Sequence, residues 1–230
     1  MGLSWYLAMT GAEIAGYDAT EKAAWMSCHF SHTGTGLSNL PRQLPEDTLV
    51  ILDDSVPLDN HDPEKIIAQL CQIPSMSGLL LDFQRPAQGE IYALIDKLFH
   101  GLPCPVAVTE CCARDTDCPV FLSSPLNIPL EAAVSPWQGR ALWLDIPFGS
   151  QRFTLTKDGC HTESITPAGQ VQLPLWDDHL QCSYQIEIQP DRVHFTLHRA
   201  AGAVAAILEQ ADALGIQKAV SLRQEYLSNP

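Results

Sequence analysis

The sequence predicts an α/β protein that folds as a small TIM-type (β/α)8 barrel, and two patterns carry this prediction. Short apolar runs bounded by chain breakers alternate with amphipathic stretches through the middle of the chain, which is typical of parallel strands joined by helical crossovers. Acidic residues directly follow several of these runs, where a parallel barrel places its mouth. A doubly wound parallel sheet would show the same alternation and is the alternative fold.

Eight apolar runs serve as predicted barrel strands, and a β-rich insertion interrupts the order near the C-terminus. The insertion is assigned to residues 150–192 and holds alternating segments around a turn at Pro190 and Asp191. A proline-broken loop is expected before residue 138, and a turn-rich segment at 11–20. The predicted barrel strands are 4–9, 24–30, 48–52, the apolar part of 77–86, 106–109, 119–123, 141–148 and 216–222. Segments that alternate in the manner of β-strands are also predicted at 152–156, 184–188 and 193–197.

Helices are predicted between these strands from capping residues and apolar spacing. Asp62 is placed as an N-cap and Pro63 as the first helical residue of a helix that ends before Pro74. A second amphipathic helix is expected at 89–99. The alanine-rich stretch 200–214 predicts a third helix, with a glycine placed to end it.

Composition and charge restrict the class of protein. The 230 residues suffice for one barrel, so we expect a single domain over 1–230. A net charge of −14 argues against nucleic acid and anionic membranes as partners, because both select excess Lys and Arg. The first thirty residues lack a signal-peptide pattern, and no apolar run approaches the ~20 residues of a membrane helix. We therefore expect a cytoplasmic protein.

Neither a metal nor a cofactor is expected. The eight cysteines form no C-x-x-C pair, which favours reduced thiols acting as small apolar side chains. His29 and His32 flank a strand end and could bind a metal with Asp53 or Glu110, but satisfied or solvent-facing histidines are the expected outcome. The glycine spacings of dinucleotide sites and phosphate loops are absent from the sequence.

Residues 77–86, SGLLLDFQRP, resemble a known catalytic motif. The stretch is similar to the DGIDLDWEYP signature on the fourth strand of family 18 glycoside hydrolases, which include chitinases and spore-cortex and peptidoglycan hydrolases. Gly78, Asp82 and Pro86 match that signature in register. Residues 141–148 similarly resemble the GIPFYG segment on the seventh strand, after which these hydrolases commonly insert a small β-rich unit. The resemblance implies a barrel of this type.

The resemblance also implies a degenerate site. The first two acids of the signature fall on Ser77 and Leu80, and the catalytic glutamate falls on Gln84. Family hydrolysis needs a carboxylic acid to protonate the leaving oxygen and an aspartate, here Asp82, to orient the substrate's acetamide. An amide has no ionisable proton in the working pH range. The family's closing strand carries a tryptophan that floors the sugar subsite, whereas here the nearest aromatic is Tyr226.

These observations lead to one favoured function and two alternatives. The favoured one is a catalytically impaired pseudoenzyme that binds a saccharide or small polar ligand, such as an oligosaccharide or peptidoglycan fragment, at the barrel mouth. The first alternative is an active glycosidase with relocated carboxylates, for which Asp82 and Glu110 are the catalytic candidates. The second is a structural or interaction protein without a ligand. Asp145 ranks below the other acids because it lies inside a predicted strand. The predicted ligand-binding residues are Asp82, Gln84, Asp53, Glu110, Tyr226 and Glu225.

Overall fold

The structure, a computed structural model, describes residues 2–17, 21–41, 43–58, 61–74, 76–85, 89–165 and 173–229. Pro86 of the motif-like stretch lies outside the described residues. Within these ranges the strands are β1 (Ser4–Met9), β2 (Lys22–Trp25), β3 (His29–Phe30), β4 (Leu37–Ser38), β5 (Thr48–Asp53), β6 (Met76–Asp82), β7 (Val106–Thr109), β8 (Val120–Leu122), β9 (Leu142–Asp145), β10 (Gly149–Thr156), β11 (Gly159–Ile165), β12 (Leu175–Asp177), β13 (Cys182–Ile188), β14 (Arg192–Arg199) and β15 (Lys218–Leu222).

The described helices lie mainly between the strands of the chain's parallel part. They are α1 (Gly11–Ile14), α2 (Pro63–Leu70), α3 (Glu90–Gly101), α4 (Glu110–Ala113), α5 (Leu130–Val134), α6 (Val204–Ala213) and α7 (Arg223–Ser228), with 3-10 turns at Ser135–Trp137 and Ala201–Ala203. None of the helices in the described part of the chain combines the length and the apolar composition needed to cross a membrane.

Eight parallel strands of the described chain close into a barrel in the order β1, β15, β9, β8, β7, β6, β5, β2. Closure is made by β1, which pairs in parallel with the second and the last barrel strands: Tyr6 lies opposite both Lys22 and Val220. This confirms the TIM-type fold and excludes the doubly wound sheet, whose edge strands would stay unpaired. The motif-like stretch forms β6, the fourth barrel strand.

Local sequence signals explain why several elements begin and end where they do. Asp62 caps α2, because its carboxylate accepts the backbone N–H groups of Glu64 at 3.0 Å and Lys65 at 3.4 Å, with Pro63 at the first helical position. Gly215 follows α6 with a φ of +78°, a left-handed conformation that a residue with a Cβ rarely adopts. Both predicted helix boundaries are confirmed.

Some elements differ from the sequence-based expectation. The strand expected over 24–30 leaves the barrel after Trp25, and His29 and Phe30 pair instead with β4 in a hairpin. The expected loop before residue 138 contains α5 and a 3-10 turn, and Gly11–Ile14 in the expected turn-rich segment is helical. Short helices of this kind lack a long apolar period and are therefore hard to recognise from sequence.

A five-stranded antiparallel sheet, in the order β11, β10, β14, β13, β12, lies between β9 and α6 in the described chain. Its strands run from Gly149 to Arg199, so they extend beyond the predicted limits of 150–192. Residues 166–172 of this insertion are not described. The assignment of 1–230 to one domain stays a prediction.

The barrel interior is filled by side chains at its lower and middle levels. Trp143 is completely buried beside Leu49 and Leu80, which are 0% and 1% exposed. Gly78 makes room for this packing: a Cβ there would lie 3.0 Å from the Trp143 ring and 3.1 Å from Leu49 Cδ1. The interior is therefore packed below Leu80, and a cavity opens toward the carboxyl ends of the strands.

Candidate functional site

A cavity of about 450 Å³ opens at the carboxyl ends of the barrel strands. The apolar and the polar residues that line it come largely from different strands. Apolar residues of β1, β5 and β15 form much of one side, and polar side chains from β6, β7 and β9 or the residues that follow β6 and β7 form the other. The principal polar lining residues are Asp82, Gln84, Thr109, Glu110, Cys111 and Asp145.

Asp82 and Gln84 lie together at the end of β6. The Gln84 Nε2 donates a hydrogen bond to Asp82 Oδ1 at 2.5 Å. The pKa of Asp82 is raised: burial raises it, the hydrogen bond from Gln84 opposes this, and the charges of Asp53 and Asp54 raise it further. The acid that matches the family motif is therefore held by a neutral partner and binds its proton more tightly than an exposed aspartate.

The position of Gln84 is fixed from behind by Asp54, which is 8% exposed. The Asp54 carboxylate accepts the backbone N–H groups of Gln84 at 3.2 Å and Arg85 at 3.1 Å, and also the Arg85 Nε at 2.9 Å. Burial by itself would raise the pKa of Asp54, but the Arg85 guanidinium and the two backbone donors outweigh it and lower the pKa. This carboxylate therefore holds the segment after β6 in place.

The next barrel strand is tied to the same segment through Phe83. The Phe83 carbonyl accepts hydrogen bonds from the Thr109 hydroxyl and, at 3.1 Å, from the Cys111 thiol. The Cys111 and Cys112 sulfurs lie 3.7 Å apart, and both residues belong to the short helix α4 that follows β7. All eight cysteines fall within the described residues, and none of them forms a disulfide bond.

Glu110 also lines the cavity, as the predicted convergence of strand ends required. One of its carboxylate oxygens, Oε2, accepts the backbone N–H of Ser123 at 3.1 Å. This contact joins the ends of β7 and β8 and leaves the carboxylate without a cationic partner among the interactions of the described residues.

Asp145 is the acid whose position differs most from the sequence-based interpretation. It is the last residue of β9 and lines the cavity, because Pro147 has no backbone N–H with which the strand could continue its pairing. Burial raises the pKa of Asp145 to about 7, helped by the negative charges of Glu225 and Asp82, while Arg199 opposes the shift. The proline two positions later was the signal that could have placed Asp145 at the strand end.

Asp53 is absent from the described lining although it lies opposite Asp82 in the β5–β6 register. Its Oδ2 lies 3.5 Å from Nδ1 of His29 in β3, and its Oδ1 accepts the backbone N–H of Ser55 at 3.1 Å. No group of three or more metal-ligating side chains occurs among the described residues. A ligand-binding role for Asp53 stays a prediction.

Glu225 and Tyr226 in α7 are also outside the described lining. The Glu225 carboxylate accepts the backbone N–H of Phe148 at 3.2 Å, and the Tyr226 ring packs edge-on against Trp5 at 5.2 Å and Phe148 at 5.5 Å between ring centroids. Glu225 acts on the cavity through its charge, as the pKa of Asp145 indicates. Contact of either residue with a ligand stays a prediction.

Comparison with known proteins places this architecture among glycoside hydrolase structures. No family model and no curated protein matches the sequence. Among solved structures, the class V chitinase of Nicotiana tobaccum, as an E-to-Q mutant in complex with NAG4, is 10% identical with a TM-score of 0.58 and covers 100% of this chain and 95% of its own. A chitinase-like agglutinin from Robinia pseudoacacia is 13% identical with a TM-score of 0.59, covering 97% of both chains.

A family 18 N-acetylglucosaminidase from Paenibacillus barengoltzii is 10% identical with a TM-score of 0.59, and the match covers 99% of this chain and 98% of the other. Identities this low establish the fold alone. They agree with the resemblance of residues 77–86 and with the position of that stretch on the fourth barrel strand. This chain therefore has the closed parallel barrel of the family 18 glycoside hydrolase structures, and it carries an antiparallel sheet between β9 and α6.

Proposed function

We propose that this protein binds a saccharide in the cavity at the barrel mouth and that it is impaired in acetamide-assisted hydrolysis. One observation carries the proposal: Gln84, which occupies the motif position of the catalytic acid, lines the cavity and is hydrogen-bonded to Asp82. The site thus keeps the position of the acid but lacks its proton.

Without an ionisable proton at position 84, the site lacks the general acid of the family's reaction. General acid catalysis typically contributes about 10²–10⁴-fold to the rate, and a carboxamide cannot supply it. The acid that would tune Asp82 is replaced by Leu80, which is 1% exposed within the barrel. A residual rate by this route would have to rely on binding and on Asp82 alone.

Binding itself is supported by the size and chemistry of the cavity. A volume of about 450 Å³ falls within the range of roughly 300–1,000 Å³ that small-molecule sites occupy. An apolar wall facing a polar wall suits a sugar ring, which presents C–H groups on its faces and hydroxyl groups at its edge. The fold comparisons add a chitinase-like agglutinin, and an E-to-Q mutant chitinase in complex with NAG4.

An active glycosidase with relocated carboxylates is the second candidate, and one observation favours it. Asp145, with a pKa raised to about 7, lines the same cavity as Asp82 and Glu110. Glycosidases pair an acid of raised pKa with an ionised carboxylate. The same cavity could therefore hold a different acid and base from those of the family motif.

The deciding experiment measures binding and turnover on the same samples. The purified chain is titrated calorimetrically with matched oligomers of N-acetylglucosamine and glucosamine and with peptidoglycan fragments, and each mixture is analysed by mass spectrometry for shorter products. Binding without products supports the proposal. Rapid product formation from the unmodified chain overturns it in favour of the relocated-acid glycosidase, and the absence of any binding overturns it in favour of a structural or interaction protein.

A further inference from the structure

We propose that the saccharide bound in this cavity is cationic, specifically an oligomer of glucosamine with free amino groups rather than the N-acetylated form. The inference rests on the proposed saccharide-binding function and names the class of its ligand. It follows from the acids that line the cavity and from the lack of lysine, arginine or histidine among the described residues of its wall.

The cavity carries negative charge without positive charge in its described wall. Asp82, Glu110 and Asp145 line it, whereas no lysine, arginine or histidine is among the described lining residues. The three acids come from β6, from the residue after β7, and from β9, so they approach the cavity from three strands. A ligand placed between them meets carboxyl groups from several directions.

Contacts within the protein leave these charges largely uncompensated. The partner of Asp82 is the neutral amide of Gln84, and that of Glu110 is a backbone N–H. Asp145 lies in the field of Asp82 and Glu225, and among the described residues Arg199 is the cation that acts against them. Asp54, just behind the cavity, is by contrast paired with Arg85.

An ammonium group fits this arrangement better than an acetamide does. A primary ammonium presents three N–H donors and a full positive charge, and carboxylates bind such donors by charge-assisted hydrogen bonds. An acetamide is neutral and offers one N–H donor, while the oxygen Asp82 Oδ1 already accepts a hydrogen bond from Gln84. Covering the carboxylates with a neutral ligand would cost desolvation energy that no opposite charge repays.

The apolar wall indicates that the cation is attached to a ring. Met26, Ile51 and Val220 are among the apolar residues that line the cavity, and they come from β5, from β15 and from the residue after β2. Such a surface contributes little to the binding of a solvated chain of amines, but it packs against the C–H face of a sugar. A linear polyamine therefore serves as a control that distinguishes a cationic sugar from a cation without a ring.

The test compares calorimetric affinities for glucosamine and N-acetylglucosamine oligomers of equal length near pH 7. We expect the glucosamine oligomer to bind at least about tenfold more tightly, equivalent to about 1.4 kcal/mol. Its affinity is expected to fall as sodium chloride is added, because salt screens the interaction of the amines with the acids. Spermidine is expected to bind more weakly than the glucosamine oligomer.

Variants that each remove one acid test which carboxyl groups of the cavity bind the glucosamine oligomer. Glu110→Gln and Asp145→Asn are each expected to lower the affinity for the glucosamine oligomer by roughly tenfold, about 1.4 kcal/mol, and to lower the affinity for the N-acetylated oligomer by less, so that the preference for glucosamine shrinks. The matched control is Glu46→Gln, which removes one charge from an exposed residue before β5, at the opposite end of the barrel. It is expected to leave both affinities unchanged.

The outcomes separate this inference from the function on which it rests. Tighter binding of the N-acetylated oligomer overturns the inference and leaves saccharide binding intact, whereas the absence of binding by either oligomer overturns the proposed function. Spermidine binding as tightly as the glucosamine oligomer overturns the assignment to a sugar. If circular dichroism shows that Asp145→Asn does not fold, the affinity of Glu110→Gln and the salt dependence decide whether the acids of the cavity bind the amino groups.

Discussion

Gln84 Nε2 and Asp82 Oδ1 are hydrogen-bonded at 2.5 Å at the end of the fourth barrel strand, so the amide and the motif acid form one unit in the cavity wall. The amide keeps Asp82 paired without adding charge. A second carboxylate at the same place would repel Asp82 and raise the pKa of the pair. Replacing Gln84 by the family's glutamate would therefore change both the charge next to Asp82 and the pKa of the pair.

Gln84→Glu is expected to leave hydrolysis of N-acetylglucosamine oligomers absent or faint, because Ser77 and Leu80 still lack the acids that accompany the family's glutamate. Release of reducing ends over time measures this outcome. Gln84→Ala serves as the control, since it removes the hydrogen bond to Asp82 without adding an acid. Strong turnover by the unmodified protein would contradict the account of an impaired site.

Asp54→Ala is expected to lower the free energy of unfolding by about 1–3 kcal/mol, because it leaves the part-buried backbone donors of Gln84 and Arg85 without their acceptor. Urea unfolding measures the change. Asp53→Ala, at a partly exposed neighbour that lies 3.5 Å from His29, is the control and should cost less than about 1 kcal/mol. Equal costs for the two variants would argue against a special role for Asp54.

The stabilisation by Asp54 should depend on pH in a defined direction. Its pKa in the folded protein lies below the ordinary value of 3.8, so the ionised carboxylate stabilises the fold above that value. This contribution is lost as the pH falls through the lowered pKa. The difference in stability between Asp54→Ala and the unmodified chain should therefore be full at neutral pH and shrink in acid.

Asp145→Asn is expected to stabilise the protein at pH 8 and to have a smaller effect at pH 4. The pKa of Asp145 rises from 3.8 to about 7 on folding, so ionisation opposes folding, and the contribution to stability declines as the pH rises between these values. The gain in the free energy of unfolding at pH 8 should be about 2–4 kcal/mol, since each tenfold change in proton affinity corresponds to about 1.36 kcal/mol.

Denaturant unfolding at both pH values tests the Asp145 prediction, with Glu46→Gln as the control for net charge. The groups that act on Asp145 are Glu225 in α7, Asp82 in β6 and Arg199 in β14. A gain from Asp145→Asn that is equal at pH 4 and pH 8 would mean that its ionisation is not linked to folding.

Cys111 is expected to react with iodoacetamide faster than Cys112, because Cys111 is exposed at the cavity and Cys112 is buried. A bound oligosaccharide should slow the labelling of Cys111 and leave Cys160, which is exposed in the antiparallel sheet, at its original rate. Peptide mass spectrometry over time measures all three sites. Ligand protection of Cys160 instead of Cys111 would place binding elsewhere.

Gly78→Ala is expected to cost about 1–3 kcal/mol of stability, because the added Cβ overpacks the barrel interior. It would lie 3.0 Å from the Trp143 ring and 3.2 Å from Lys218 Nζ. Gly202→Ala is the matched control, since no atom lies within 4 Å of its added Cβ. Thermal unfolding should separate the two, and an unchanged midpoint for Gly78→Ala would show that the interior can adjust.

Much of the fold was predictable because its signals are local. The capping of α2 by Asp62, the end of α6 before Gly215 and the buried run of β6 each depend on residues a few positions apart. The repeated order of strands and helices predicted a parallel sheet, and the resemblance of residues 77–86 favoured a closed barrel over the doubly wound alternative. The short helix at 110–113 did not, because four residues carry too little periodicity.

The candidate site was predictable only in part. Sequence alone determined that acids follow strand ends and that an amide occupies the motif position of the catalytic acid. The tertiary structure decided which acids share a cavity: Asp82, Glu110 and Asp145 line it, whereas Asp53 faces His29. The physical reason is that strand patterns arise from neighbouring residues in the sequence. Whether the acids at the strand ends share a cavity depends instead on barrel closure, on where each strand stops pairing, and on which distant side chain contacts each carboxylate.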